Sequence, residues 1–179
     1  MSEIATQGSR VVYQNKWMTV REDKILRPSG SEGIYGVVEK ADFVVVLAVE
    51  QQDIYLVEQY RYPIGKRCLE LPQGSWESQP DAEPAVVAAG ELREETGLIA
   101  GKLEYVASQY MASAFCNQRY HIFLATELTQ GEQQLDEEEE GLLVRRVSLA
   151  TFEAMILSGE IADSSTVNAY GLVKMKGLL

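Results

Sequence analysis

The chain has 179 residues, 46% of them hydrophobic, which suits one domain with a buried core. Its 27 acidic residues outnumber 16 basic ones, and the net charge of -11 argues against nucleic acid as a partner, because phosphate backbones are bound through basic surfaces. No charged leader with a short apolar stretch opens the chain, and no apolar run reaches about 18 residues, so a soluble, cytoplasmic protein without membrane contact is expected.

Residues 1–8 are mostly small or polar and predict a loosely held start. From 10 to 39, β-prone runs at 11–13, 17–21 and 34–38 are separated by turn-forming Gln-Asn, Arg-Pro-Ser-Gly and Ser-Glu-Gly. They predict a small antiparallel unit with too little core to stand alone. Residues 43–49 form an almost unbroken apolar run, the pattern of a central strand covered on both faces, and 54–59 return as its hairpin partner. Leu71-Pro72-Gln73-Gly74 then breaks strand geometry, since proline lacks an amide donor and glycine tolerates unusual backbone angles. After a loop at 75–80, Asp81 is the expected N-cap of a helix with Pro84 in its first turn and Gly97 at its left-handed end.

On a 3.6-residue period Glu91, Glu94 and Glu95 of that helix lie within roughly 100° of one another. Like charges so placed repel, and a solvated face is their ordinary fate. A hard divalent cation reverses the sign, because carboxylate oxygens are the ligands that Mg²⁺ and Mn²⁺ take. Ala85, Ala88, Ala89 and Leu92 form a stripe of mostly small residues that lets the helix back lie close to a sheet and turn its acidic face into a groove. Gly90, in mid-helix, costs about 1 kcal/mol relative to alanine and predicts the close approach of another backbone.

Farther on, 103–109, 120–126 and the run at Leu142-Leu143-Val144 read as strands, and two closing helices are capped by Ser148 and Asp163. The five carboxylates of 136–140 have the composition of a solvated loop. Cys68 and Cys116 have no paired spacing and read as buried thiols rather than a disulfide or zinc ligands. His121 sits inside a strand-like run with no partner near it in sequence and reads as structural. No serine, histidine or cysteine arrangement supports a covalent intermediate.

Residues 90–98, Gly-Glu-Leu-Arg-Glu-Glu-Thr-Gly-Leu, resemble the second half of the Nudix box, G-x5-E-x7-R-E-U-x-E-E-x-G-U with U bulky and apolar. The match runs from Glu91 through Leu98, while Gly90 stands where the box has arginine. The first glycine of the box corresponds to Gly74 if the intervening loop is two residues longer, and its first glutamate falls on Ala82 or near Glu83. In the family that glutamate and the arginine are thought to brace each other, so their joint alteration predicts a rebuilt brace. Glu58-Gln59-Tyr60-Arg61-Tyr62-Pro63 and Leu69-Glu70-Leu71-Pro72-Gln73-Gly74 resemble segments of the ADP-ribose pyrophosphatase branch. So does 112–119, with Ser113, Ala114 and Gln118 in place of proline, glycine and glutamate, and Asp163-Ser164-Ser165-Thr166 resembles the start of that branch's last helix.

The resemblance implies an α+β fold, a Nudix α/β/α sandwich with a mixed central sheet over 41–179, preceded by an N-terminal β extension, 1–40, that serves dimerisation. It implies a homodimer that uses Mg²⁺ or Mn²⁺ to hydrolyse the pyrophosphate bond of a nucleoside diphosphate linked to another moiety. ADP-ribose or a related nucleotide sugar is the implied substrate, giving AMP and a sugar phosphate. The implied metal ligands are Glu91, Glu94, Glu95 and the main-chain carbonyl of Gln73, and the implied substrate contacts are Arg61, Glu70 and Gln118. A glutamate on the loop before the strand at 142–144 is implied as base or further ligand; the register puts Glu140 there with Glu139 close behind, and Glu94 stands beside them. Gly90 and Gln118 leave one rival, a Nudix-like domain that binds nucleotides as a regulator and hydrolyses them poorly.

Overall fold

Alternation along one strand organises the molecule, which is described here from a computed structural model over residues 3–76, 78–79 and 81–179. Glu77 and Pro80, part of the expected 75–80 loop, and Met1 and Ser2 of the expected loose start lie outside the described residues. In β4 (Phe43–Glu50) successive side chains point to opposite faces, and both faces are apolar. Val45, Leu47 and Val49 enter one core with Phe152, Ala169, Tyr170 and Val173. Val44, Val46 and Ala48 enter a second core with Val87, Ala88 and Leu92. The first set of partners belongs to α2 (Leu149–Ser158) and α3 (Ser164–Met175), the second to α1 (Pro84–Thr96). A strand apolar on both faces therefore becomes the middle layer of the expected α/β/α sandwich.

The remaining strands of this layer are β5 (Asp53–Arg61), β6 (Lys66–Glu70), β7 (Gln73–Gly74), β8 (Leu98–Tyr110), β9 (Arg119–Gln130) and β10 (Leu143–Ser148). Their order is β10-β5-β4-β9-β8, with β6 on β5 and β7 on β4. β4 and β9 run parallel, Phe43 lying opposite Tyr120, while the other strand pairs of this sheet are antiparallel, so the sheet is mixed. β4 and β5 pair over Ala48, Val49 and Glu50 against Tyr55, Ile54 and Asp53, and then diverge. β6 and β7 fill the opening, and Val46 donates its amide to the Pro72 carbonyl at 2.9 Å between them. The Leu71-Pro72 break thus delivers Glu70 and Gln73 to the mouth of a wedge in the sheet.

Three features differ from the expectation. α1 begins at Pro84 with Glu83 in the cap position, not at Asp81, because the fixed φ of proline and its missing amide suit the first helical position. The buried side of α1 carries Val87, Ala88, Glu91, Leu92 and Glu95, while Ala85 and Ala89 are exposed, so the acidic face and the packing face overlap. The chain start is ordered as well: β1 (Ala5–Gln14) pairs with β2 (Thr19–Leu26), which pairs with β3 (Glu32–Glu39), in a separate antiparallel sheet. Its order comes from cross-strand pairing, which local composition does not reveal. This sheet touches the larger layer through the Val38 amide on the Phe115 carbonyl at 2.8 Å and the Tyr35 hydroxyl on the Ala114 carbonyl at 2.8 Å. Among the described residues no helix is long and apolar enough to cross a membrane.

Candidate active site

Gly97 ends α1 in a left-handed conformation (φ 75°), its amide on the Arg93 carbonyl at 2.8 Å, and this fixes the last turn, which carries Glu94 and Glu95. Glu95 is 1% exposed and Glu91 5%, one turn apart and both turned inward, whereas Glu94 is half-buried. The Gln73 amide donates to Glu95 Oε2 at 2.9 Å. Burial, and after it the charges of Glu91 and Glu139, push the Glu95 carboxyl well above the usual carboxylate range against the pull of the Gln73 amide and Arg61. The protein has built a place where negative charge accumulates and water is scarce.

Gly74 lies directly against Glu91. A Cβ there would stand 2.6 Å from Glu91 Cδ and 2.7 Å from Oε1, so only glycine leaves the carboxylate its position. On the helix the relation is reversed, because a Cβ on Gly90 would lie 2.8 Å from Cη2 of Trp76. The neighbour at Gly90 is therefore an indole and not the expected backbone. Trp76 also packs on the core beneath α1. The strand-to-helix loop is keyed to the helix twice, by a carboxylate on a glycine and by a ring on a glycine.

That keying makes a prediction about sign. Helix propensity alone says that Gly90→Ala stabilises by about 1 kcal/mol. Displacement of the indole should outweigh this, lowering the melting temperature by about 2–6 °C. In a Trp76→Ala background the same substitution should stabilise. Calorimetry on the four proteins checks the reversal, and a stabilising Gly90→Ala in both backgrounds would remove the ring from the account.

The wall facing the carboxylates is made by β5, β6 and the start of α3. Arg61 Nε donates to both Glu70 oxygens, at 2.9 and 3.1 Å, and its Nη2 adds a further bond to Oε2. Burial opposes the Arg61 charge, but the Glu70 carboxylate outweighs it and holds the guanidinium pKa above its ordinary value. Glu70 Oε2 accepts Gln73 Nε2 at 2.7 Å, Gln73 Oε1 accepts Ser165 Oγ at 2.7 Å, and Thr166 Oγ1 accepts the Leu71 amide at 2.9 Å. Asp163 caps α3 through the Thr166 amide at 2.7 Å. These links tie four elements into one frame. Ser165, Thr166 and the Gln73 side chain were not singled out from the sequence as site residues; the capping pattern at Asp163 was the available signal.

Arg61, Glu70, Gln73, Gly74, Gln118 and Asp163 line a groove of about 530 Å³, within the range of small-molecule sites. Gln118 is buried and its Nε2 donates to the Ala41 carbonyl at 2.7 Å, so it holds the groove's edge in place. The acidic loop brings Glu139 near Glu94, Glu95 and Arg61. Its short 3-10 turn, Glu137–Glu139, is closed by a reciprocal cap in which Glu139 Oε2 accepts the Asp136 amide at 3.0 Å. Glu139 is half-buried, and burial followed by the charges of Asp136 and Glu94 raises its carboxyl against the pull of the Asp136 amide and Arg61. Glu140 is exposed. Geometry thus brings Glu139 toward Glu94, Glu95 and Arg61 and leaves Glu140 outside. Cys68, a half-buried free thiol rather than the expected buried one, lines the groove, whereas His121, half-buried in β9 and 3.7 Å from Asp42, and the buried free thiol Cys116 do not.

Residues 5–38 match the family model described as the nucleoside diphosphate sugar hydrolase N-terminal domain, and residues 39–167 match the NUDIX domain. The chain is 30% identical over 179 residues to an ADP-ribose pyrophosphatase of Bacillus subtilis (strain 168), covering 99% of this chain and 96% of that protein. It is 30% identical over 182 residues to a methanol dehydrogenase activator of Bacillus methanolicus, with the same coverage of both chains. A crystal structure of an ADP compounds hydrolase shares the fold with a TM-score of 0.87 at 20% identity, over 99% of this chain and 97% of that one. The chain belongs to the Nudix family. It is a Nudix pyrophosphohydrolase, and enzymes of this family generally use divalent ions such as Mg²⁺ or Mn²⁺.

Proposed function

We propose that the protein hydrolyses the pyrophosphate bond of ADP-ribose or a related nucleotide sugar, releasing AMP and a sugar phosphate. The observation that carries this reading is the buried Glu91 and Glu95 pair set directly behind Gly74 and Gln73, which line a groove together with the Arg61–Glu70 pair. The first described domain match and the names of the relatives point to the same substrate class.

The donor set fits a hard divalent cation. Two carboxylates one turn apart are buried, burial disfavours the charged form of Glu95, and the Arg61 guanidinium is engaged by Glu70. Among the described residues no three acidic, histidine or cysteine side chains converge on one finished metal cluster. Glu91 and Glu95, with the Gln73 carbonyl and with Glu94 beside them, would hold the ion, leaving positions for substrate oxygens. Bound there, Mg²⁺ or Mn²⁺ supplies charge neutralisation of the pyrophosphate and acidifies a water. Arg61, positioned by Glu70 and through it by Gln73 and Ser165, binds a phosphate or stacks on the base. Glu139, half-buried and close to Glu94 and Arg61, would take the proton of the attacking water, with Glu140 as the outer neighbour.

The enzyme is further proposed to act as a homodimer, with residues 1–40 as the extension that mediates pairing and 41–179 as the hydrolase domain. The small sheet favours this, because Val11, Tyr13, Ile34 and Tyr35 are all exposed on it and, of its residues, only Asp23 and Ile25 are buried. The test of the reaction is product release from a panel of ADP-ribose, other nucleotide sugars, dinucleoside polyphosphates and NADH, with Mg²⁺, Mn²⁺ or chelator. Metal-dependent turnover of ADP-ribose or another nucleotide sugar is expected. Preference for a dinucleoside polyphosphate would sink the substrate assignment.

A further inference from the structure

The acidic loop is anchored at both of its ends. Gln133 Nε2 donates to the Glu95 carbonyl at 2.6 Å and the Gln134 amide to the Glu94 carbonyl at 3.0 Å, which fastens the entry to the end of α1. At the exit Leu142 is buried, and Arg67 Nη2 donates to the Gly141 carbonyl at 2.9 Å. Between these anchors the turn at 137–139 sends neighbouring carboxylates in different directions: Glu139 inward, Glu138 outward. Glu138 is met by the N-terminal sheet. Its Oε1 accepts Lys16 Nζ at 2.7 Å and its Oε2 accepts Trp17 Nε1 at 3.2 Å, across more than 120 residues of chain.

The donors come from a well-made turn. Asn15 Oδ1 accepts the amides of Trp17 and Met18, both at 2.9 Å, and the Asn15 amide donates to the Met18 carbonyl at 3.0 Å. The Lys16 ammonium also lies 4.2 Å from the centre of the Trp17 ring. A rigid tip thus offers two donors, one charged and one neutral, to the two oxygens of one carboxylate. Two donors on one carboxylate restrict both its position and its rotation, and the next residue in the turn is Glu139.

We propose that Lys16 and Trp17 are positioning residues for the reaction, holding Glu138 so that the acidic loop stays closed with Glu139 over the helix carboxylates. The proposal rests on the role given to Glu139 above. An exposed ion pair adds little to global stability, so its loss leaves the fold intact and acts on the loop. The N-terminal sheet then has a part in the reaction as well as in assembly: the turn between β1 and β2 latches a loop 120 residues away.

Charge reversal tests this. Lys16→Glu and Glu138→Lys each place like charges at the latch, and the double variant restores an opposite pair. Each single variant should lower kcat about tenfold with KM within about twofold, and should speed amide hydrogen exchange over residues 134–142. The double variant should recover kcat to within about threefold and slow the exchange again. Trp17→Phe, which removes one neutral donor, should have a smaller effect in the same direction. Single variants with wild-type kcat and exchange, or a double variant no better than either single, would overturn the latch. If exchange responds as described while the wild-type protein turns over no member of the panel, the contact between turn and loop stands, and its part in the reaction falls with the hydrolase reading.

Discussion

Glu95→Gln should reduce metal-dependent turnover by about a thousandfold or more while making the metal-free protein harder to unfold. The two effects have one origin. Glu95 is the most buried carboxylate of the site, and burial with the Glu91 charge holds its carboxyl well above the unfolded value. For an acid with a raised folded pKa, the protonated form is the one folding favours. Its stabilising contribution is fully present below the unfolded pKa of about 4.3 and is lost as pH rises through the folded pKa. At neutral pH the metal-free protein therefore carries the penalty, and a neutral amide of the same shape removes it. The melting temperature of the Gln variant in chelator should rise by about 2–4 °C near pH 8, the response of a domain this size to about 1 kcal/mol, and the gain should shrink toward pH 5. Added Mn²⁺ should raise the melting temperature of the parent and leave that of the variant nearly unchanged. Retained turnover in Glu95→Gln would remove this carboxylate from the chemistry.

Gly74→Ala should separate activity from folding in the opposite way. The methyl group would overlap the Glu91 carboxylate, the mobile end of a flexible side chain, so the fold can absorb the change by letting that carboxylate move. Gly74 does not need a left-handed backbone, so alanine adds no conformational strain. The melting temperature should stay within about 3 °C of the parent, while turnover falls about a hundredfold, the usual penalty for a catalytic group displaced by an ångström. Titration calorimetry should show weakened Mn²⁺ binding. Parent-like kinetics in this variant would mean that the position of Glu91 against Gly74 is unimportant.

Much of this architecture was legible in the sequence, and for physical reasons. The apolar run at 43–49 has the pattern of a strand covered on both faces, and β4 enters both cores as that pattern predicts. Ser148 and Asp163 were readable as caps because capping is a local interaction with a local signature, and both side chains accept the expected amides. The spacing of Glu91, Glu94 and Glu95 gave one helical face, but not the depth of its burial. Burial depends on β7 crossing beneath the helix, a contact between segments that no periodicity encodes. The same limit explains Trp76 on Gly90, where a mid-helix glycine announced a close neighbour without saying which. Register with the following strand favoured Glu140, whereas the reciprocal cap at Asp136 turns Glu139 inward, since a single residue of offset in a tight turn reverses direction. The loose chain start failed as an expectation because β1 owes its order to a partner strand.

The parallel pairing of β4 with β9 also sets the order in which the molecule can be made. Phe43 meets Tyr120 across 77 residues of chain, with the glutamate helix carried inside that long loop. Closing it costs loop entropy, offset in part by the β4–β5, β5–β6 and β4–β7 pairings made inside the loop. Until β9 has left the ribosome the helix has only part of its sheet to rest on. The helix that carries the acidic site therefore has its full seat only once Phe123 and Ala125 of β9 are in place beneath it.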